Sequence, residues 1–303
     1  MIMERTRYKP KLIDFKRADA ILCSDMHLRE DTPTCFVGDF QKEQWDSLMT
    51  IKALQEIHSC LVIHAGDLFH HWKASPWLLS MTIKYIPDNF YTVLGQHDLP
   101  QHSLELIKKC GVYTLSKANK VNILPWCHWG QTPEVCKNYK GSVDIGEPTV
   151  LVWHHLTYQS KPYPGAEGGM AAGLLRKYPQ FDLIVTGDNH QSFTEEYQGR
   201  RLVNPGNLTR QAADQIDYKP RVALWYAEDN SIEWIYLPIQ ENAISREHLI
   251  GKEERDTRID AFVSGLNTDY KIEMSFEQNL EAFFNINRIR DSVKQIIYKS
   301  IEK

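Results

Sequence analysis

Short apolar runs alternate with helical stripes through the first part of the chain. Ile21-Leu22-Cys23, Leu61-Val62-Ile63 and Tyr91-Thr92-Val93-Leu94 read as buried strands. Between the first two, Trp45, Leu48, Met49, Leu54 and Ile57 keep a helical period. Ser75-Pro76 opens a second helix, carrying Leu78, Leu79, Met81 and Ile83, and Pro87 ends it. A third is predicted from Ser103 to Cys110, closed by Gly111. This alternation predicts βαβ units. From about Val121 the strands shorten. A hairpin is expected over Phe193 to Val203 around Gln198-Gly199, and Arg221 to Tyr226 should pair with Ile232 to Tyr236. Residues 241–276 are polar and weakly periodic. From Glu277 a helical stripe follows through Leu280, Phe283, Phe284, Ile289, Val293, Ile296, Ile297 and Ile301. The expected division is a lead-in over 1–17, one domain over 18–240, and a C-terminal linker with an amphipathic helical tail over 241–303.

Five of the apolar runs end on polar clusters: Ser24-Asp25-Met26-His27, Gly66-Asp67-Leu68-Phe69-His70, Gly95-Gln96-His97-Asp98, His154-His155 and Gly187-Asp188-Asn189-His190. Open α/β sheets gather functional groups at the carboxyl ends of their strands, so five such endings point to one site. Carboxylates and imidazoles without a thiolate suit hard or borderline divalent cations. Either member of His154-His155 could face such a site, with strand phase favouring His154. His64 falls on the strand face opposite Ile63 and is expected to pack. His71-Trp72, Trp126 with His128 and Trp129, and the Tyr158 to Tyr163 loop either line a cleft or pack.

Composition adds boundaries. The formal net charge is −4, so no broad basic footprint announces a stand-alone nucleic-acid binder. Six cysteines show no Cys-x-x-Cys spacing, which with no signal peptide suggests a reducing cytoplasm, the host's if the protein is of phage origin. No apolar run approaches the roughly 20 residues of a membrane span.

In order, Asp-x-His, Gly-Asp, Gly-x-His-Asp, a lone His and Gly-x-x-His resemble the calcineurin-like metallophosphoesterase superfamily. Gly66-Asp67-Leu68-Phe69-His70 before Ser75-Pro76, and Pro205-Gly206-Asn207-Leu208-Thr209-Arg210, are similar to blocks of SbcD-type and phage recombination DNA nucleases. The resemblance implies an α/β sandwich of two packed mixed sheets flanked by helices. It implies two divalent cations, Mn²⁺ or else Mg²⁺. Asp25, His27, Asp67 and His190 would hold the first. Asp67 would bridge to the second, which would also take Gln96, His154 and Asp188. His97 would act as a general acid with Asp98 orienting its ring, His70 would help position the phosphate, and Arg210 would contact it.

This chain departs from that pattern twice: Gln96 stands where Asn is usual, and Asp188 where His is usual. Both departures fall on the second cation position, and the added carboxylate makes it harder. The function expected is a DNA exo- or endonuclease subunit of repair, recombination or phage replication. Its expected partners are DNA, an SbcC-like coiled-coil ATPase and a second copy of itself, with no membrane. The alternatives are a small-molecule phosphodiesterase or phosphatase of the same fold, and a binding scaffold that has lost its metals.

Overall fold

A computed structural model describes residues 16–136, 148–161, 165–247 and 276–301. Most of the lead-in, most of the polar stretch 241–276 and the end of the Tyr158 to Tyr163 loop lie outside these residues. The chain divides into two compact units, Met1–Ser245 and Arg246–Lys303.

In the first unit, β1 (Ala20–Cys23), β2 (Leu61–His64), β3 (Phe90–Thr92) and β4 (Asn122–Ile123) pair in parallel. The crossovers are α1 (Phe40–His58), α2 (Pro76–Tyr85) and α3 (Gly111–Lys117). On the other side of β1, β11 (Arg221–Tyr226) pairs antiparallel and is followed outward by β12 (Ser231–Tyr236), completing a six-stranded mixed sheet. A four-stranded mixed sheet runs β5 (Val150–Trp153), β8 (Leu183–Thr186), β10 (Arg200–Asn204), β9 (Phe193–Tyr197). The short β6 (Thr157–Tyr158) and β7 (Gly169–Met170) pair separately, and α4 (Ala171–Lys177) follows them.

Period-two alternation decides which side of each sheet a residue serves. Ala20, Leu22, Ile63 and Trp225 of the larger sheet meet Val150, Val152, Leu183, Val185 and Val203 of the smaller in one core. Ile21, Cys23 and Val62 face the other way, into a core with Trp45, Leu48 and Ile51 of α1 and Leu115 of α3. Leu151, Trp153, Ile184 and Leu202 pack with Leu174 and Leu175 of α4. The result is the expected sandwich of two mixed sheets flanked by helices. β1, β2, β5 and β8 are buried to their last residues, so the loops that follow them start from the core.

Several elements differ from expectation for identifiable reasons. Residues 104–109 form a 3₁₀ turn, not an α-helix, and Gly111 opens α3 instead of closing its predecessor. A side chain at Gly111 would place its Cβ 2.9 Å from Ala74 Cβ and 3.0 Å from Phe69 Cε2, so packing accounts for this glycine. Met49 and Ile57, expected on the buried stripe of α1, are exposed, and Phe40 and Ile51 take that stripe. The tail is two helices, α5 (Phe276–Ile286) and α6 (Asp291–Ile301), broken where Arg288 adopts a φ of 49°. Tyr298 donates to Glu281 Oε1 at 2.7 Å and Phe284 meets Tyr298 edge-on at 5.7 Å, so the two helices pair as a hairpin.

Candidate metal centre

The strand-end loops bring the predicted residues together. Asp25, His27, Asp67 and Asp188 have φ of 47°, 43°, 57° and 71°, a left-handed region that costs a non-glycine residue roughly 1–2 kcal/mol. Such backbone persists where surrounding structure fixes it, and here the glycines allow close approach. A Cβ on Gly95 would lie 2.0 Å from Asp67 Oδ1, and one on Gly66 2.3 Å from His154 Nδ1. On Gly187 it would lie 2.4 Å from both Ala65 O and Ser24 Oγ. The five clusters therefore converge only because three of them begin with glycine.

At the centre, His27 Nε2 lies 3.8 Å from Asp25 Oδ1 and 3.8 Å from Asp67 Oδ2. His154 Nε2 lies 3.5 Å from Asp67 Oδ2, and His190 Nε2 lies 4.0 Å from Asp25 Oδ1. Asp67 Oδ1 accepts from His97 N at 2.9 Å. Ser24 Oγ donates to Asp25 Oδ2 at 2.5 Å, and the Asp188 amide donates to the same carboxylate at 3.2 Å.

Three donor groups that could hold a cation arise from this packing: Asp25 with His27 and His190, Asp25 with Asp67 and His154, and His27 with His70 and His97. Both ring nitrogens of His27 and Oδ2 of Asp67 are buried without a hydrogen-bond partner. Buried polar atoms are normally paired, so orphaned lone pairs that converge on one another are what a cation would satisfy. The residues present thus fit a divalent metal.

The charges agree with that reading. Burial pushes the Asp25 carboxyl up to about 8, with Asp67 and Asp188 raising it further against His154 and the Ser24 hydrogen bond. Burial opposes ionisation of Asp67 too, yet the charge and hydrogen bond of His154, and the charge of His27, hold it well below the usual carboxylate range. Burial also disfavours a charged His154, but Asp67, Asp25 and Asp188 overcome it and raise the ring to about 10. Geometry gives the same answer: Nδ1 lies 2.6 Å from Ala65 O and Nε2 lies 2.8 Å from Gln96 Oε1, both acceptors. Desolvation lowers His27 far below its ordinary value and His70 to about 4.

Gln96 and Asp188, the two departures, touch each other. Gln96 Nε2 donates to Asp188 Oδ1 at 2.6 Å while its Oε1 meets His154, so one amide brackets both neighbours. Of the ambiguous pair, His154 joins the cluster and His155 stacks on Trp153 at 4.0 Å. His64 packs as expected, with Nδ1 2.8 Å from Thr92 Oγ1.

Two expected roles change. Asp98 does not orient the His97 ring. It is buried, accepts from the amides of Leu68, Phe69 and Gly95 at 3.1–3.2 Å, and thereby ties two loops together. Burial and the charge of Asp67 raise it to about 7 against those bonds. The His97 ring is held by His70 O, 2.8 Å from Nδ1, and the two rings stack at 5.5 Å. Arg210 finds its partners elsewhere: its guanidinium is buried, donates to Gln240 O at 2.6 Å and pairs with Glu43 at 3.4 Å. Trp72 packs against the helix-side core, Trp126 packs beside α4, and His128 accepts from Leu94 N at 3.0 Å.

The sequence reading missed Asn204. It is buried at the end of β10, and its Nδ2 donates to Asn189 O at 2.6 Å and Gln191 O at 2.7 Å, straddling His190. Asn189 Nδ2 in turn donates to Thr157 O at 2.6 Å. The only signal was an amide immediately ahead of the Pro205-Gly206 turn-like block.

The chain belongs to the calcineurin-like phosphoesterase family, whose model matches residues 20–192. No curated protein matches it. Among solved structures it is similar to an archaeal phosphodiesterase, at 15% identity over 72% of this chain and 99% of that one, TM-score 0.43. It is similar also to vacuolar protein sorting 29 from Cryptosporidium parvum, at 17% identity over 75% and 100%, TM-score 0.34. A metallophosphoesterase from Sphaerobacter thermophilus aligns at 11% identity over 73% and 89%, TM-score 0.34.

Proposed function

We propose that this metallophosphoesterase is a phosphodiesterase that uses two cations, Mn²⁺ in preference to Zn²⁺, to hydrolyse DNA. The observation that carries the reading is the stack of His70 on His97 beside the carboxylate cluster. It adds two imidazoles beside the carboxylate cluster, groups suited to giving a diester's leaving oxygen its proton.

Asp25, His27, Asp67 and His190 would hold one cation. Asp67, Gln96, His154 and Asp188 would hold the other. When bound, divalent cations neutralise charge on the phosphate and make water acidic enough to attack at neutral pH. The protein's part is arrangement. A backbone carbonyl can only accept, so the His97 proton next to His70 O sits on Nδ1, leaving Nε2 for the substrate. Once protonated, Nε2 gives its proton to the leaving oxygen as that P–O bond breaks. The attacking water forms the new P–O bond and releases its proton to solvent. His70, lowered by burial, stays neutral near pH 7 and contributes a hydrogen bond, not a charge, to the phosphate. The acidic net charge leaves much of the grip on DNA to a coiled-coil ATPase of the SbcC kind, acting in repair or recombination.

The deciding experiment pairs a metal count with cleavage. Protein loaded with Mn²⁺ is analysed for metal content, then assayed on labelled single- and double-stranded DNA beside Asp67→Ala. The expected result is two ions per chain and cleavage lost in the variant. One ion or none, with no cleavage of DNA or of bis(p-nitrophenyl) phosphate, would sink the reading.

A further inference from the structure

A cavity of about 420 Å³ opens next to His190, lined by Ser192, Asp214, Asp217, Tyr218, Arg221 and Tyr236 among others. None of these residues belongs to the cation cluster, yet the cavity is built onto it. Gln191 and Ser192 in its wall directly follow His190. The hydroxyl of Tyr218 donates to Asn207 O at 3.0 Å, and Asn207 N donates to His190 O at 3.3 Å. A Cβ at Gly206 would lie 2.5 Å from that hydroxyl and 2.9 Å from His190 O, so Tyr218 backs directly onto the histidine's loop.

Hydrogen bonds and ring contacts fix the lining. Arg221 gives Nε to Ser192 Oγ at 2.8 Å and Nη2 to Ser192 O at 2.9 Å. Its guanidinium lies 4.0 Å over Trp234 and 6.0 Å from the Tyr236 ring. Tyr236 itself is 60% exposed, on the outermost strand of the larger sheet. A large ring left in water at a cavity mouth is the kind of surface that stacks on a flat guest.

Charge narrows the guest. Asp214 and Asp217 oppose Lys219 and Arg221, so the lining carries no net charge and does not suit a phosphate. It offers carboxylate acceptors, basic donors and an aromatic face. An unpaired nucleobase presents the complementary set: amino groups, carbonyl and ring-nitrogen acceptors, and a π surface. A cavity of this volume lies within the range of small-ligand sites.

We propose that this cavity receives the base of a nucleotide flanking the scissile phosphate, turned out of its stack and laid on Tyr236. The inference rests on the nuclease reading above and adds a base subsite to it. It makes the substrate a strand with at least one unstacked base beside the cut, so single strands and frayed ends would be favoured over intact duplex.

The test uses Mn²⁺-loaded full-length protein, single-stranded oligonucleotides with and without an abasic position on either side of the main cut, and bis(p-nitrophenyl) phosphate. The proteins are wild type, Tyr236→Ala and Tyr236→Phe, with thermal unfolding confirming that each folds. Base stacking of roughly 1–3 kcal/mol corresponds to a drop of about 5- to 150-fold in kcat/KM for Tyr236→Ala on the intact strand. The abasic strand should lose as much with wild type, the two losses should not add, and Tyr236→Phe should restore the rate. Wild-type cleavage indifferent to both the abasic position and Tyr236→Ala overturns the subsite and leaves the nuclease standing. Hydrolysis of bis(p-nitrophenyl) phosphate with no oligonucleotide cleavage overturns the nuclease reading, and the subsite with it.

Discussion

At the level of single residues, the site is governed by whether lone pairs are free. His154 holds a proton up to about 10 and Asp25 up to about 8, and both must release it before a cation can take their lone pairs. Cation affinity should therefore rise with pH through at least pH 8. Calorimetry in buffers of different ionisation enthalpy should record proton release, and an affinity flat between pH 6 and 9 would contradict it. Gln96 spans 2.8 Å to His154 and 2.6 Å to Asp188, so it joins the two neighbours. Gln96→Ala should lower the Mn²⁺ count from two per chain toward one, read by elemental analysis. Gly95→Ala forces a Cβ within 2.0 Å of Asp67 Oδ1 and should abolish cation binding altogether. The residues of this centre were legible in the sequence because each cluster carries its own chemistry. The roles of Asp98 and Arg210 were not, since hydrogen-bond direction depends on which loop lies opposite. Asp98 faces three amides and Arg210 faces Glu43, a residue far away in the sequence.

Among the elements, the strands were the most readable part. Their two faces differ so sharply in destination that alternation alone separates Ile21 from Leu22 and Ile184 from Val185. Helix ends were less readable, because tertiary contacts override local signals. Gly111 looked like a stop and serves as close packing against Ala74 and Phe69. The continuous apolar stripe of the tail hid a break at Arg288, which no glycine or proline marks. The connection from β10 back to β8 shows what an element's end can do. Asn204→Ala removes both donors to the carbonyls flanking His190 and leaves Asn189 O and Gln191 O wanting. Leaving such groups unsatisfied costs about 1–3 kcal/mol, and the same change should weaken cation binding at the proposed His190 site. Denaturant unfolding and Mn²⁺ titration of this variant should move together. Unaltered Mn²⁺ affinity would mean that Asn204 serves the fold alone.

Across the molecule, acid should act far from the proposed cation site as well as at it. His128 accepts from Leu94 N through Nδ1, is buried, and is lowered by that burial to about 4. In the unfolded chain an ordinary imidazole titrates near 6.5, so as pH falls below that value the unfolded state gains a proton the folded state refuses. Stability is then lost between about pH 6.5 and 4, on the order of 3 kcal/mol from this residue. His128→Asn, whose amide oxygen can still accept from Leu94 N, should show a smaller loss in urea titrations at pH 7.5 and 4.5. Neither unit contains, among the described residues, a helix long and apolar enough to cross a membrane. The proposed cation ligands are divided between the layers: Asp25, Asp67 and Gln96 follow strands of the larger sheet, and His154 and Asp188 follow strands of the smaller. An ion shared by them would act as a rivet through the sandwich. Pulled apart by its two sheets in a force experiment, the protein should yield at a markedly higher load with Mn²⁺ than with chelator, and break first at that seam.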